Sequence, residues 1–235
     1  MKANWLAFVR TVFSFATPVI FLTFLVPSCI TARKVDRWVD KKYGDALTAP
    51  TRKNTEYITV STTLPVAEQI NSSTKKTSGR FLPLLVYWEW QTANTCTLNP
   101  KLPFNNFTNT ALTYASSKGL KSKLNGRRVE LVLTQIPNVF SIDDESHLVF
   151  VGLYAFGWDI ISVVPAKSEM VVSYKIFQDN TELKQGVITI PDLDKAIHVK
   201  IFNSVKRKTW EYIDQYNENI TAMSKKAVDS LITQL

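Results

Sequence analysis

Residues 11–28 are eighteen consecutive positions without a charged side chain, and the run ends at Cys29. Lys2 and Arg10 are the only charged residues before it. A membrane-spanning helix needs about 20 predominantly apolar residues, so the run is short for a membrane span. It is long enough for the apolar segment of a secretory signal peptide. The sequence therefore predicts that this segment is an export signal and that the folded domain is built from the residues after it.

The end of the run, Leu-Val-Pro-Ser-Cys at residues 25–29, resembles the lipobox of bacterial lipoproteins. Val26 and Ser28 match the lipobox, and Pro27 departs from it. The resemblance implies that the Cys29 thiol receives a diacylglycerol and that cleavage frees its amine for a further acyl chain such as palmitate. Two or more chains hold a protein stably at a bilayer, whereas one does not. An uncleaved signal anchor and ordinary secretory cleavage remain the alternatives.

The same resemblance bears on location and on the cysteines. Ile30 follows Cys29 where inner-membrane lipoproteins of some bacteria carry aspartate, so the outer membrane is favoured over the inner, with the domain facing the periplasm. The chain has two cysteines, and a lipidated Cys29 leaves Cys96 single. A disulfide between the two in an exported protein is the alternative.

Composition permits a packed core and limits the partners. Hydrophobic residues make up 45% of the 235 residues, which excludes wholesale disorder. The net charge is +8, and a chain beginning at Cys29 keeps 26 basic and 20 acidic side chains, or +6. This moderate excess suits an anionic surface but is weak for a nucleic-acid binder. We expect no nucleic-acid partner, which export also disfavours.

We divide the chain into a signal peptide (1–28), a basic tether (29–54) and a single domain (55–235). Within the tether, Val35, Trp38 and Val39 fall at helical spacing, which predicts a short amphipathic helix. Two interpretations stay open for it. The helix lies against lipid headgroups beside its anchor, or its tryptophan packs onto the domain.

Alternating apolar side chains predict strands in five stretches of the domain: residues 55–65, 81–96, 127–137, 148–165 and 169–191. The stretch 148–165 is apolar on both faces, so we expect one central strand. The last stretch contains a turn at Asp179 and Asn180, which makes it two strands. Residues 71–79 and 138–147 are polar and are predicted to be loops.

Helical spacing predicts two longer helices. One lies within residues 99–124, with Asn106 or Thr108 as its cap. The other covers residues 209–235, where apolar side chains recur every three or four positions. Helices beside a largely antiparallel sheet make an α+β fold, and we expect the helices to pack on one face of that sheet.

Residues 107–136 and 168–231 resemble, in the pattern of their elements, the auxiliary lipoproteins of lipid-trafficking ABC-transport systems in bacterial envelopes. Those proteins have a helix with a basic end, a "rVeL" strand, long meander strands and a closing amphipathic helix. The resemblance implies a periplasm-facing binding or scaffold module with protein partners in an envelope complex. It does not imply a catalyst.

The residues that carry chemistry are few. The sequence contains no zinc-protease motif, no Cys-x-x-Cys, no nucleophile elbow and no phosphate-binding or dinucleotide-binding glycine loop. His147 follows Asp143, Asp144 and Glu145 but lacks the spacing of a calcium loop, so a solvated loop is favoured over a metal site. His198 lies among apolar residues. We predict no catalytic residue, no metal and no cofactor.

Two groups of side chains are candidate contact surfaces. The first is basic and is predicted to meet an anion, or else to be a solvated helix end: Lys118, Lys121, Lys123, Arg127 and Arg128. The second is aromatic and is predicted to line an apolar groove, or else to form the core: Trp88, Trp90, Phe150, Tyr154, Phe156 and Trp158.

The sequence thus predicts a membrane-anchored envelope lipoprotein that acts as a non-catalytic binding or scaffold module, with lipid transport as the process that the resemblance implies. Its membrane partner is lipid bound through Cys29. The alternatives are an envelope enzyme whose site is not recognisable and a signal-anchored membrane protein.

Overall fold

The computed structural model describes residues 30–44, 53–65, 72–152, 154–200 and 203–235. The helices in these residues are α1 (Ala32–Gly44), α2 (Lys101–Ser117), α3 (Leu120–Leu124) and α4 (Val205–Thr233). The strands are β1 (Ile58–Thr62), β2 (Ser73–Pro83), β3 (Tyr87–Thr97), β4 (Arg128–Gln135), β5 (Val139–Val151), β6 (Tyr154–Pro165), β7 (Glu169–Gln178), β8 (Thr181–Pro191) and β9 (Ile197–Val199).

The strands form two sheets with helices packed against them, which confirms the predicted α+β class. One sheet has four strands in the order β1-β4-β7-β8, and the other has five in the order β2-β3-β5-β6-β9. All pairs are antiparallel except β1 with β4. The single sheet that we expected is therefore divided into two.

The four-stranded sheet follows the sequence pattern closely. Val129, Leu131 and Leu133 on β4 are buried and alternate with more exposed neighbours, as predicted. Asp179 and Asn180 join β7 to β8, and both have positive φ, 47° and 67°. Tight hairpin turns of this kind require positive φ at both central residues, and Asn and Asp tolerate it. The predicted turn is confirmed.

Helix α4 packs its apolar stripe against α2, α1 and the ends of β8 and β9. The stripe contains six buried residues that the spacing predicts: Ile213, Tyr216, Ile220, Met223, Ala227 and Leu231. The Asn106 side-chain amide on α2 donates to the Asn217 carbonyl on α4 at 3.0 Å. Helix α2 begins at Lys101, so the caps predicted at Asn106 and Thr108 are wrong and both residues lie inside the helix.

Helix α1 belongs to the core, although its sequence was assigned to a tether. Val35, Val39 and Tyr43 are almost fully buried and face α4 and the five-stranded sheet. Trp38 is half-buried against the core, and its carbonyl accepts a hydrogen bond of 2.8 Å from the Trp210 indole on α4. This contact agrees with the interpretation in which the tryptophan packs onto the domain.

Two predicted loops are wrong, because most of residues 71–79 belongs to β2 and most of residues 138–147 belongs to β5. The reason is visible in β5. Phe140 and Ile142 point into the core and are fully buried, while Ser141 and Asp143 alternate with them, point to the other face and are half-buried. A strand with one polar face resembles a polar loop when its apolar positions are few.

The predicted central strand 148–165 is also wrong, because it is a hairpin. Gly152 has φ of 62°, a conformation that glycine adopts without steric cost, and the chain reverses there so that Val151 pairs with Tyr154. The exposed apolar side chains of this hairpin lie on one face, and the other face carries the fully buried Val163. The exposed ones are Val151, Tyr154, Phe156, Trp158 and Ile160.

One end of the five-stranded sheet is covered by helices and the other is not. We call residues 81–90, 145–152 and 154–160 the distal end of this sheet. In the described part of the chain, twelve large hydrophobic side chains are exposed, and ten of them lie here. They are Phe81, Leu84, Leu85, Val86, Trp88, Val151, Tyr154, Phe156, Trp158 and Ile160.

Candidate functional site

The predicted lipidation site, Cys29, lies outside the residues that the structure describes, as does the signal peptide before it. None of the described helices is both long and apolar enough to span a bilayer. The anchor therefore stays a prediction from sequence.

The predicted basic surface is only partly assembled. Lys121, Arg127 and Arg128 line an open cleft of about 580 Å³, together with residues 54–57 before β1. Glu56 is among those residues and adds a negative charge to the same cleft. Lys118 lies elsewhere, with its Nζ 3.9 Å from an Asp229 oxygen on α4. Lys123 does not line the cleft either.

Within this cleft the two arginines already have partners. The Arg127 Nε donates to the Leu124 carbonyl at 2.9 Å and so satisfies the end of α3. The Arg128 guanidinium lies 3.7 Å from a Glu130 oxygen and over the Phe177 ring at 4.8 Å. These contacts favour a structural role for both side chains, and an anionic contact at this cleft stays a prediction.

The predicted aromatic groove is wrong as a single surface. Its three members on β6 project from one face of the five-stranded sheet, and its three members on β3 and β5 project from the other. The hairpin at Gly152 causes the division, because it places Phe150 opposite Ala155 and Tyr154 opposite Val151. None of the six belongs to the buried core of the described chain, so the alternative interpretation is also wrong.

One face of the distal end carries a small aromatic cluster. The ring centres of Trp88 and Phe150 lie 5.2 Å apart, and those of Trp88 and Phe81 lie 6.4 Å apart, both with edge-on geometry. Edge-to-face pairs of this kind stabilise the strands that carry them. No described helix covers the cluster, and Trp88 is 39% exposed.

The opposite face carries a stack centred on His147. The His147 ring lies between the rings of Trp158, at 4.9 Å, and Tyr87, at 6.0 Å, with small interplanar angles. The Tyr87 Oη lies 2.7 Å from the His147 Nδ1 and 3.0 Å from a Glu89 oxygen. Desolvation, and to a smaller extent the hydrogen bond to Glu89, raises the pKa of Tyr87.

The extreme tip of the distal end is aliphatic. Two hairpin turns meet there, because the Phe150 amide donates to the Val86 carbonyl at 2.8 Å. One turn carries Leu84 and Leu85, and Leu85 is 98% exposed. The neighbouring turn adds Val151, and the aromatic Tyr154 follows it at the start of β6; both are exposed. These adjacent turns place exposed apolar side chains beside one another, an arrangement that is common at interaction surfaces.

The remaining ionisable residues of note lie at the covered end. Burial raises the pKa of the Cys96 thiol to about 12, which keeps it protonated and unreactive. Burial likewise raises the pKa of Asp194, to about 6, despite hydrogen bonds from Asn219 and Tyr212. His198 is exposed on β9, with its Nδ1 2.8 Å from the Ser162 hydroxyl.

Sequence reasoning missed the pairing of distant residues at the distal end. Glu89 and His147 are direct neighbours across β3 and β5, yet they are far apart in sequence. Leu84 and Leu85 follow Pro83 in an apolar run. This run contained a sequence signal for the exposed turn. Proline is confined to edge positions of a sheet, so Pro83 argues against a single buried strand running through residues 81–86.

Comparison with known proteins finds no family model that matches the chain, no curated protein that matches it and no solved structure that matches it.

Proposed function

We propose that this chain is a non-catalytic binding module of a bacterial cell envelope. It is held at a membrane through acyl chains on Cys29, and it contacts lipid through the distal end of the five-stranded sheet. The observation that carries this proposal is the concentration of ten exposed hydrophobic side chains at that end. Such a patch is costly in water unless a partner covers it.

The depth of the apolar tip favours a lipid surface. Glu89 lies four positions after Leu85, which at about 3.3 Å per residue places the first carboxylate about 13 Å behind the tip. Elements that lie in a membrane interface bury their apolar part by about 5–10 Å. The aliphatic turns therefore reach the acyl chains while the carboxylates stay among the headgroups.

The order of side chains behind the tip is also that of a membrane interface. Tyr154, Trp88 and Trp158 follow the aliphatic turns, and all three are partly exposed. Aromatic rings with a polar atom favour the headgroup level, where one edge is apolar and the other is wet. Arg80 on the edge strand β2 is exposed next to this zone, which suits anionic lipid.

The lipid contact is tested with a fluorophore that reports the polarity around it. The full chain carrying Cys29→Ala and Leu84→Cys is labelled at the new thiol and mixed with vesicles of phosphatidylethanolamine and phosphatidylglycerol. We expect a blue shift in emission, because the label enters the acyl region. Cys96 is fully buried and stays unlabelled.

Leu183→Cys in the same background is the matched control. Leu183 is 52% exposed, like Leu84 at 51%, but it lies on β8 away from the distal end. Its label should stay in water. A Leu84 label that also stays in water, on vesicles that retain the chain, would contradict lipid contact and leave a protein of the envelope as the partner of this end.

The anchor is tested by the intact mass of the full chain expressed in a bacterial host and extracted with detergent. We expect a mass equal to residues 29–235 plus acyl chains, and we expect Cys29→Ala to abolish that modification. An unmodified mass that retains residues 1–28 would support the signal-anchored alternative instead. The outer membrane, rather than the inner, is proposed from Ile30 and is tested by separating the two membranes on a density gradient.

The alternative, that the chain is an enzyme, would require a different structural feature. A catalyst needs a cleft in which ionisable groups of altered pKa converge. In the described residues, the two arginines of the cleft, Arg127 and Arg128, already contact carbonyls, a carboxylate or an aromatic ring. The apolar distal end supports binding better than this cleft supports catalysis.

A further inference from the structure

His147 has a buried ring nitrogen for which a hydrogen-bond or metal partner is expected. The residue is only 7% exposed, and its Nε2 has no hydrogen-bond partner among the described residues. The nearest charged atom is a Glu145 oxygen at 3.4 Å, which is within ion-pair range but does not satisfy hydrogen-bond geometry. Buried polar atoms in folded proteins are almost always satisfied, so a lone one points to a missing ligand.

Two carboxylates surround this imidazole. One ligand atom from each of Glu89, Glu145 and His147 lies within 4.8 Å of the other two. Glu89 is the cross-strand neighbour of His147, and Glu145 lies two residues before it on the same face of β5. We propose that Glu89, Glu145 and His147 bind a divalent transition-metal ion, for which Zn²⁺ is the best match. This site is independent of the lipid contact proposed above.

The environment of His147 selects the atom that would bind the ion. Its Nδ1 lies 2.7 Å from the Tyr87 oxygen, so it is already engaged. With Nε2 on the metal, Nδ1 carries the proton and donates it to Tyr87, and the Tyr87 hydroxyl donates to Glu89 at 3.0 Å. Metal-binding histidines almost always have such a partner on the other nitrogen, which fixes the tautomer.

The imidazole is also held in place before any ion arrives. The rings of Trp158 and Tyr87 flank it on either side and restrict its rotation. Glu145 is more adaptable, since its side chain is 42% exposed. At metal–ligand distances of about 2.0–2.2 Å, neighbouring ligand atoms lie about 3.3–3.6 Å apart, so the carboxylates need to close by roughly 1 Å. Glutamate side chains at this exposure move that far by small rotations.

The donor set indicates which ions fit. Imidazole suits Zn²⁺, Cu²⁺ and Ni²⁺, whereas Mg²⁺ and Ca²⁺ prefer sites made only of oxygen atoms. Three protein ligands leave one tetrahedral position of Zn²⁺ open. Water or a side chain of a partner would complete that position.

The test measures Zn²⁺ binding to the full chain in detergent by isothermal titration calorimetry, with no histidine tag. We expect one Zn²⁺ per chain. His147→Gln should abolish saturable binding. Glu145→Gln should weaken binding by more than the roughly tenfold loss expected for Tyr87→Phe, because Tyr87 only supports the ligand. Glu145→Gln is nearly isosteric at a partly exposed site, so it tests the proposal even where His147→Gln fails to fold.

His198→Gln is the matched control. His198 is the only other histidine of the chain and lies on the same sheet, but it is exposed and pairs with Ser162. Its replacement should leave the affinity for Zn²⁺ unchanged. Substituting Co²⁺ should give the visible absorption of a four-coordinate oxygen and nitrogen site, without a thiolate band. No saturable binding by the wild type, or equal binding by wild type, Glu145→Gln and His147→Gln, would overturn the proposal and leave a side-chain contact between Glu145 and His147.

Discussion

The two ends of the five-stranded sheet are built from the same strands, but helices cover one end and the other is exposed to solvent. Phe140 on β5 is fully buried beneath the helices, while Phe156 on the neighbouring β6 is 57% exposed. Both are phenylalanines on long antiparallel strands of one sheet. Phe140 points to the face on which the helices pack, where its ring lies 4.8 Å from that of Tyr212 on α4, while Phe156 points to the opposite face. Whether a side chain of this sheet is buried therefore depends on whether a helix packs over the face to which it points.

The largest expected effect comes from removing the two rings. Phe140→Ala should lower the free energy of unfolding by about 3–5 kcal/mol, because it loses the transfer energy of the ring and leaves a cavity. Phe156→Ala should change it by no more than about 0.5 kcal/mol, since an exposed ring leaves no cavity. Urea unfolding followed by far-ultraviolet circular dichroism measures both.

The same pair of variants can break the comparison. Equal losses of stability would mean that the distal end is buried in solution, for example by self-association of two copies. Sedimentation of the wild type across a range of concentrations is the control for that outcome. An unchanged slope of unfolding free energy against urea would show that neither variant alters the surface exposed on unfolding.

A smaller effect is expected at the turn that creates the distal end. Gly152 has φ of 62° and open space where a side chain would be placed. Gly152→Ala should therefore cost about 1–2 kcal/mol through backbone strain alone. Gly157 lies five residues further along, within β6, and its φ carries no such constraint. Thermal unfolding should show a lower midpoint for Gly152→Ala.

Gly157→Ala is the control for this prediction. A methyl group at Gly157 would meet the His147 carbonyl at 3.4 Å, an ordinary contact, so its stability should be close to that of the wild type. Equal behaviour of the two variants would indicate that the turn at Gly152 relaxes without cost and that the hairpin is not fixed by this glycine.

Sequence patterns were sufficient to predict an element and its buried residues where one face of the element is buried and the other is exposed to solvent. The alternation of Val129, Leu131 and Leu133 and the stripe of α4 were predicted on that basis. The same rule failed for residues 148–165, because apolar side chains on both faces were taken to mean burial on both. Local patterns do not encode which helix covers which part of a sheet.

The candidate sites show the same limit. The aromatic side chains of the proposed groove were identified, but their division between two faces depends on the turn at Gly152 and on the strand register. Glu89, Glu145 and His147 come from two strands that are paired only in the fold. Composition near His147 suggested a solvated loop, whereas the residue is 7% exposed.

The covered end contains a buried carboxyl group, that of Asp194, and its titration gives the smallest effect that we expect. Burial raises the pKa of Asp194 to about 6, from an ordinary value of 3.8. The native state therefore holds this proton more tightly than the unfolded chain does. Between about pH 4 and pH 6 unfolding releases the proton, so stability should fall as the pH rises through this window and then level off.

Asp194→Asn should flatten this dependence, because the amide does not titrate and can still accept hydrogen bonds from Tyr212 and Asn219. Burial also raises the pKa of Asp192 and Asp144, which remain in the variant, so the difference between the two slopes is the quantity to measure. Glu218→Gln, an exposed position on α4, should leave the slope unchanged. Identical slopes for wild type and Asp194→Asn would mean that Asp194 is solvated in solution and that the contact between α4 and the loop before β9 is looser than the structure has it.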